Sequence, residues 1–162
     1  MLKKGDQVPN AALQNLTEDG PVNITLQALS AGRTLAIFAV PGAFTPTCSQ
    51  NHLPGFLAHE SALKSAGIDE VVCICVTDFF VMDAWGRDQG VGARITLLAD
   101  GNGDFTKAAD MELDLSAIGL GTRSKRYAMT VRDGMVQNIL IEKDVTLAEM
   151  SGAPALLSAI AA

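Results

Sequence analysis

The stretch "VPGAFTPTC" (Val40 to Cys48) gathers two prolines, two threonines, a glycine and one cysteine behind the apolar run "TLAIFAV" (Thr34 to Val40). Its spacing puts Cys48 in or beside the first turn of a helix that follows a buried strand. Backbone N–H groups there lack intrahelical partners, and the helix dipole favours negative charge. The thiolate is the nucleophilic form of cysteine, so this setting suits a reactive thiol. A buried cysteine can equally pack as a small hydrophobe. Position favours the reactive reading, because open α/β folds hold ligands where strands end and helices begin. Thr45 lies three residues ahead of the thiol, where a hydroxyl can bond both the sulfur and an incoming oxygen. Pro41 would shape the loop and shield the sulfur from water.

Strand-like and helix-like segments alternate around this loop. "NAALQNLTEDGPVNITL" carries Asp19-Gly20 between two half-apolar runs and predicts an N-terminal β-hairpin. "TCSQNHLPGFLAHESALKSAG" has helical spacing at Leu53, Leu57 and Leu63, with a kink expected at Pro54, which has no backbone donor. "DEVVCICVT" predicts a second buried strand, "DFFVMDAWGRDQG" a short helix, and "ARITLLAD" a third strand. "DFTKAADM" predicts another short helix. "KRYAMTVRDGMVQNILIE" predicts two strands around Asp133-Gly134, and "SGAPALLSAIA" a closing helix. Buried strands joined by helices imply βαβ units, and the flanking hairpins add antiparallel strands. The expectation is an α/β fold: one domain over residues 1–162, with a mixed central sheet and helices on both faces.

Composition narrows the function. Apolar residues make up 48% of the chain and charged residues 19%, which excludes disorder. With a net charge of −6 and a pI near 4.7, no basic face offers itself to nucleic acid or an anionic membrane. No apolar run reaches the ~18 residues a membrane span needs. The N-terminal "MLKKGDQVPN" carries no signal-peptide or transit-peptide pattern. Three cysteines, Cys48, Cys73 and Cys75, do not form an even disulfide framework, so a cytoplasmic protein with free thiols is expected.

The residues Pro41, Thr45 and Cys48 form the pattern Pro-x-x-x-Thr-x-x-Cys, which resembles the signature of the peroxiredoxins, the thiol peroxidases. "VPGAFTPTCSQNHLPGF", "VTDFFVMDAWGRDQG", "LLADGNGDFTKA" and "SKRYAMTVRDG" resemble the type-II, atypical two-cysteine branch, and the similarity extends over nearly the whole chain. The resemblance implies a thioredoxin-like fold, with Cys48 as the peroxidatic cysteine and Thr45 and Pro41 as its partners. It implies an active-site arginine at Arg126, with Arg123 and Arg132 as rivals. Hydroperoxide would be the substrate, glutaredoxin with glutathione or thioredoxin the reductant, and a homodimer the assembly, with no metal or organic cofactor. The Cys48 thiolate would attack one peroxide oxygen and become a sulfenic acid, which excess peroxide carries to sulfinic acid.

The position of Cys73, 25 residues after Cys48, resembles the second cysteine of plant type-II members and makes it the resolving candidate. Cys75 shares its strand face and reads as core. "TLAEMSGAPALL" has no cysteine, which closes the route used by members that resolve near the C-terminus. An internal disulfide would require Cα atoms within about 7 Å, hence an unwound first turn at Cys48. The other route is an external thiol. His52 and His59 follow Cys48 at four and eleven residues, too few ligands for a metal site. His52 is the one local base that a cysteine hydrolase could use. A non-enzymatic peroxide-sensing domain is the alternative function. Phe44, Phe79, Phe80 and Trp85 would either pack in the core or form a collar and dimer contact beside the loop.

Overall fold

In the computed structural model, which describes residues 1–162, the central strands are buried because helices cover both faces of the sheet. Strand β3 (Thr34–Val40) shows why its sequence is a continuous apolar run rather than an alternating one. Ala36, Phe38 and Val40 point into one core layer, and Leu35, Ile37 and Ala39 into the other. Strand β4 (Glu70–Cys75) divides in the same way, with Val71, Cys73 and Cys75 on the first face and Val72 and Ile74 on the second.

Seven strands run in the order β2-β1-β5-β4-β3-β8-β9. The N-terminal hairpin is β1 (Leu13–Thr17) with β2 (Gly20–Ile24), and it joins the sheet through a single pairing of Gln14 with Ala99. β3, β4 and β5 (Thr96–Ala99) are parallel, whereas β8 (Tyr127–Arg132) and β9 (Met135–Ile141) are antiparallel. The sheet is therefore mixed, as the sequence pattern implied.

The first core layer is covered by α2 (Leu53–Ala58), α3 (Glu60–Ser65), α4 (Phe79–Asp88) and α6 (Ala153–Ala161). The short α1 (Leu26–Leu29) and α5 (Asp104–Ala108) lie against the second. Asp78 caps α4 by accepting from the Val81 amide at 2.8 Å, a contact of the kind worth ~1 kcal/mol. Asp100 accepts from the Phe105 and Thr106 amides and fixes the start of α5.

Two features were not anticipated. A two-stranded ribbon, β6 (Glu112–Asp114) with β7 (Thr122–Ser124), brackets a 3₁₀ turn at Ser116–Ile118. Its strands are too short to show a period. The helix behind Cys48 is also not one kinked rod. It opens at Pro46, widens into a π-helical turn over Cys48–His52, resumes as α2 and breaks again at His59. The Leu53 amide reaches back to the Cys48 carbonyl, five residues away. Pro54 follows with no N–H to give, so the ladder is disturbed beside it.

Candidate active site

Cys48 sits where the sequence placed it, near the start of a helix whose opening residue is Pro46, favoured there because its fixed φ suits the first turn. The Ser49 amide donates to the Thr45 carbonyl at 2.9 Å, which makes Thr45 the residue at the helix entrance. Cys48 has no exposed surface, and Pro41 is buried beside the loop. A cleft of about 650 Å³ between α4 and β1 includes none of these residues.

Arg126 meets the sulfur. Its Nη2 donates to Cys48 Sγ at 3.2 Å, its Nη1 to His52 Nδ1 at 3.0 Å, and its Nε to the Val145 carbonyl at 3.0 Å. The side chain is almost wholly buried. Sheet register explains the meeting. Ala39 pairs with Tyr127, so Arg126 stands opposite the Val40 end of β3, where the reactive loop departs.

The rivals lie elsewhere. Arg123 donates to the Leu120 carbonyl at 2.8 Å and to the Val76 carbonyl at 3.4 Å, beside the loop without a bond to the sulfur. Arg132 is at the far end of β8 and donates to Thr34 Oγ1.

The Thr45 expectation needs correcting. Its hydroxyl donates to the Gly42 carbonyl at 2.6 Å, and no Thr45–Cys48 hydrogen bond forms. With its proton committed, the Thr45 oxygen is left as an acceptor. Arg126 offers donors at the buried sulfur, and Thr45, three residues before it in the same loop, keeps an acceptor. A hydroperoxide has a matching O–H and two oxygens.

The chain is similar to known proteins along almost its whole length. The sequence profile of the Redoxin family matches residues 3–157. The chain is 48% identical to peroxiredoxin-2E, chloroplastic, of Arabidopsis thaliana, covering 86% of this chain and 61% of that one. It is 46% identical to peroxiredoxin-2E-2, chloroplastic, of Oryza sativa subsp. japonica, covering 86% and 64%. It thus spans less than two thirds of each of these two relatives. Reduced Prx3 from Vibrio vulnificus, solved in complex with H₂O₂, superposes with a TM-score of 0.93 at 42% identity, covering 99% of both chains. The chain belongs to the redoxin family, as a type-II peroxiredoxin.

In this peroxiredoxin His52 is neither a metal ligand nor the base of a Cys–His pair. Its Nε2 donates to the Ser151 carbonyl at 2.9 Å, which leaves Nδ1 as the acceptor for Arg126. Burial, chiefly, lowers its pKa to about 4; the Ser151 carbonyl opposes the shift and the Arg126 charge assists it. The ring is neutral at pH 7. Arg126, not His52, takes the sulfur.

The peroxiredoxin's cysteines are all free and buried. Cys73 pairs with Phe38, whose ring lies 5.0 Å from His52 and 4.1 Å from Phe56. Cys75 pairs with Val40. The helix thus packs over β3, and Cys48, Cys73 and Cys75 share one core layer. Burial pushes the Cys73 thiol well up and the Cys75 thiol up to about 12, so both stay protonated in this fold.

The aromatic residues divide. Trp85 is fully buried and donates from Nε1 to Ser49 Oγ at 3.0 Å, which places it in the core and not in a collar. Phe44 and Phe80 are 52% and 65% exposed, and Phe44 takes a left-handed φ of 64°.

Sequence reasoning missed the segment that follows β9. Glu142 accepts from the Glu149, Met150 and Ser151 amides and the Ser151 hydroxyl. Thr47 donates to the Thr146 carbonyl. Residues 142–152 wrap the back of the site.

Proposed function

We propose that this chain is a thiol-dependent peroxidase that reduces hydrogen peroxide and organic hydroperoxides. The observation that carries the reading is the Arg126 Nη2 contact with Cys48 Sγ at 3.2 Å, beside a Thr45 oxygen free to accept. The Cys48 thiolate attacks the nearer oxygen of HO–OR, in line with the O–O bond. An S–O bond forms, the O–O bond breaks, and the leaving oxygen takes a proton to become ROH. Cys48 is left as a sulfenic acid.

Arg126 has five N–H donors, of which three are used within the protein. The remaining two, one on each Nη, are available to the peroxide oxygens. They stabilise the negative charge that develops on the leaving oxygen, and Thr45 Oγ1 accepts from the peroxide O–H. The Vibrio vulnificus structure, solved with H₂O₂, supports hydrogen peroxide as a substrate.

An external thiol resolves the sulfenic acid. Cys73 and Cys75 are buried and protonated in mid-sheet, so they are slow nucleophiles unless the turn at Cys48 unwinds. Glutathione with glutaredoxin, or thioredoxin, is the reductant this implies. The exposed Phe44 and Phe80 support a homodimer formed beside the loop. Three free thiols suit a reducing compartment such as the cytoplasm.

The test is steady-state peroxide reduction with each reductant. Wild type and Cys73→Ser turn over at comparable rates, and Cys48→Ser is inactive. Residual peroxidase activity in Cys48→Ser would sink the reading. A Cys48–Cys73 or Cys48–Cys75 link in the mass spectrum of peroxide-treated protein would replace the external route with an internal one. A peroxide-sensing domain would show Cys48 oxidation without sustained turnover.

A further inference from the structure

Arg126 holds the sulfur, and a closed ring of hydrogen bonds holds Arg126. The Glu142 backbone N–H donates to the Arg126 carbonyl at 2.9 Å. The Glu142 side chain then turns to the following loop. Its Oε2 accepts from the Ser151 amide at 2.8 Å and the Ser151 hydroxyl at 2.7 Å. Its Oε1 accepts from the Met150 amide at 3.0 Å and the Glu149 amide at 3.3 Å. The Ser151 carbonyl accepts from His52 Nε2, and His52 Nδ1 accepts from the Arg126 guanidinium.

We propose that Glu142, Ser151 and His52 are a positioning relay that sets the orientation of the Arg126 guanidinium toward Cys48 and the peroxide. None of the three bonds to the sulfur.

Three observations support a role beyond closing the fold. The Ser151 carbonyl can only accept, so it dictates which His52 nitrogen carries the proton. That in turn makes Nδ1 the lone pair facing Arg126. His52 and Ser151 are buried, as is Arg126, so water cannot readily substitute for a lost partner. Finally, a guanidinium is planar. Fixing Nε on Val145 and Nη1 on His52 leaves Nη2 one direction in which to point, and that direction is Cys48.

The proposal rests on the peroxidase reading, and failure of that reading shows separately as an inactive wild type. The test measures two rate constants for Cys48 in the full-length reduced protein. One is with hydrogen peroxide, followed by the fluorescence of Trp85, which is bonded to the neighbouring Ser49. The other is with iodoacetamide, which needs the thiol but no oriented peroxide oxygen.

Glu142→Gln lowers the peroxide rate constant about tenfold, as expected for a slightly misplaced donor, and changes alkylation less than twofold. His52→Asn, whose Oδ1 can replace Nδ1 as an acceptor, retains more peroxide activity than His52→Gln, whose amide N–H can replace Nε2 alone. A merely structural histidine would not rank the two that way. Ser151→Ala, which keeps every backbone bond, loses about twofold to threefold and keeps the test decisive should a bulkier change fail to fold.

Peroxide rates at the wild-type level in folded Glu142→Gln and His52→Gln overturn the relay. So do peroxide and alkylation rates that fall together, and so does equal loss in His52→Asn and His52→Gln.

Discussion

Two irregular segments meet at Cys48, and they contribute in opposite ways. The loop from Val40 to Cys48 supplies the two side-chain atoms that the proposed reaction uses, the sulfur and the Thr45 oxygen. The segment from Glu142 to Gly152 supplies no reacting atom. It supplies main-chain carbonyls: Val145 to Arg126, Thr146 to Thr47 and Ser151 to His52. The first segment determines which chemistry is available. The second determines where the shared arginine points. A reactive side chain is useful only as far as its partner is held, and here the holding is done mostly by peptide groups.

The largest effect that could break this comparison comes at the residue both segments share. Arg126→Gln removes the charged donor to Cys48 and both spare N–H groups. The peroxide kcat/KM should fall about 10²- to 10³-fold, the size seen when a preorganised donor to developing charge is lost. The relay variants should lie well short of that. If Arg126→Gln loses no more than Glu142→Gln, Arg126 acts as a strut for the 142–152 segment, and the division between reacting and holding parts fails. Stopped-flow kinetics with hydrogen peroxide on both variants would decide it.

The same contrast explains what was legible in the sequence. Cysteine, threonine and proline were found because their types and spacing carry the chemistry, Arg126 only through the family resemblance, and β3 because both of its faces need apolar residues. A carbonyl oxygen comes with every residue, so Val145, Thr146 and Ser151 gave no sign. Glu142 looked like any strand-end carboxylate, yet it collects three amides and a hydroxyl. His52 could be read as a packed, hydrogen-bonded residue of its helix, and it is buried with its polar edge in need of partners. Those partners, Ser151 and Arg126, lie 99 and 74 residues away, which no local pattern could name. Thr45 was chosen for its hydroxyl, and the direction of its proton depends on the turn that brings the Gly42 carbonyl to it. Cys73 was singled out by resemblance to the second cysteine of plant type-II members, and the fold puts Cys73 and Cys75 together on the sheet face that also buries Cys48.

The next effect separates the holding segment from the reacting loop by pH. Burial holds the His52 pKa down to about 4, against the ~6.5 of a free histidine. The unfolded chain therefore binds this proton first as pH falls. His52 contributes stability that is fully present above about pH 6.5 and is lost progressively down to about 4, roughly 3 kcal/mol in all. Glu142 behaves differently. Burial raises its pKa, but the hydrogen bonds from Ser151 and the loop amides outweigh this and leave it below the usual carboxylate value, so its loss comes at lower pH. Urea melts between pH 7 and 4.5 should show wild type losing stability that His52→Gln does not lose. Parallel curves would mean that His52 is not held neutral between Arg126 and Ser151.

The smallest effect tests the reacting loop alone. A Cβ placed on Gly42 would lie 2.9 Å from Thr45 Cγ2, closer than two carbons can pack. The same Thr45 donates its proton to the Gly42 carbonyl at 2.6 Å, so the clash and the useful bond are coupled. Gly42→Ala should push Thr45 off its acceptor position and lower the peroxide kcat/KM about tenfold, leaving iodoacetamide alkylation of Cys48 nearly unchanged. Thr45→Ser removes Cγ2 and keeps the hydroxyl. The double variant should therefore recover to within about twofold of Thr45→Ser alone, a non-additivity expected only of residues in contact. Additive losses would trace the defect to the other neighbour, Arg123, whose Nη1 would lie 3.5 Å from that Cβ. Thr45 would then lose its place as the acceptor that orients the peroxide.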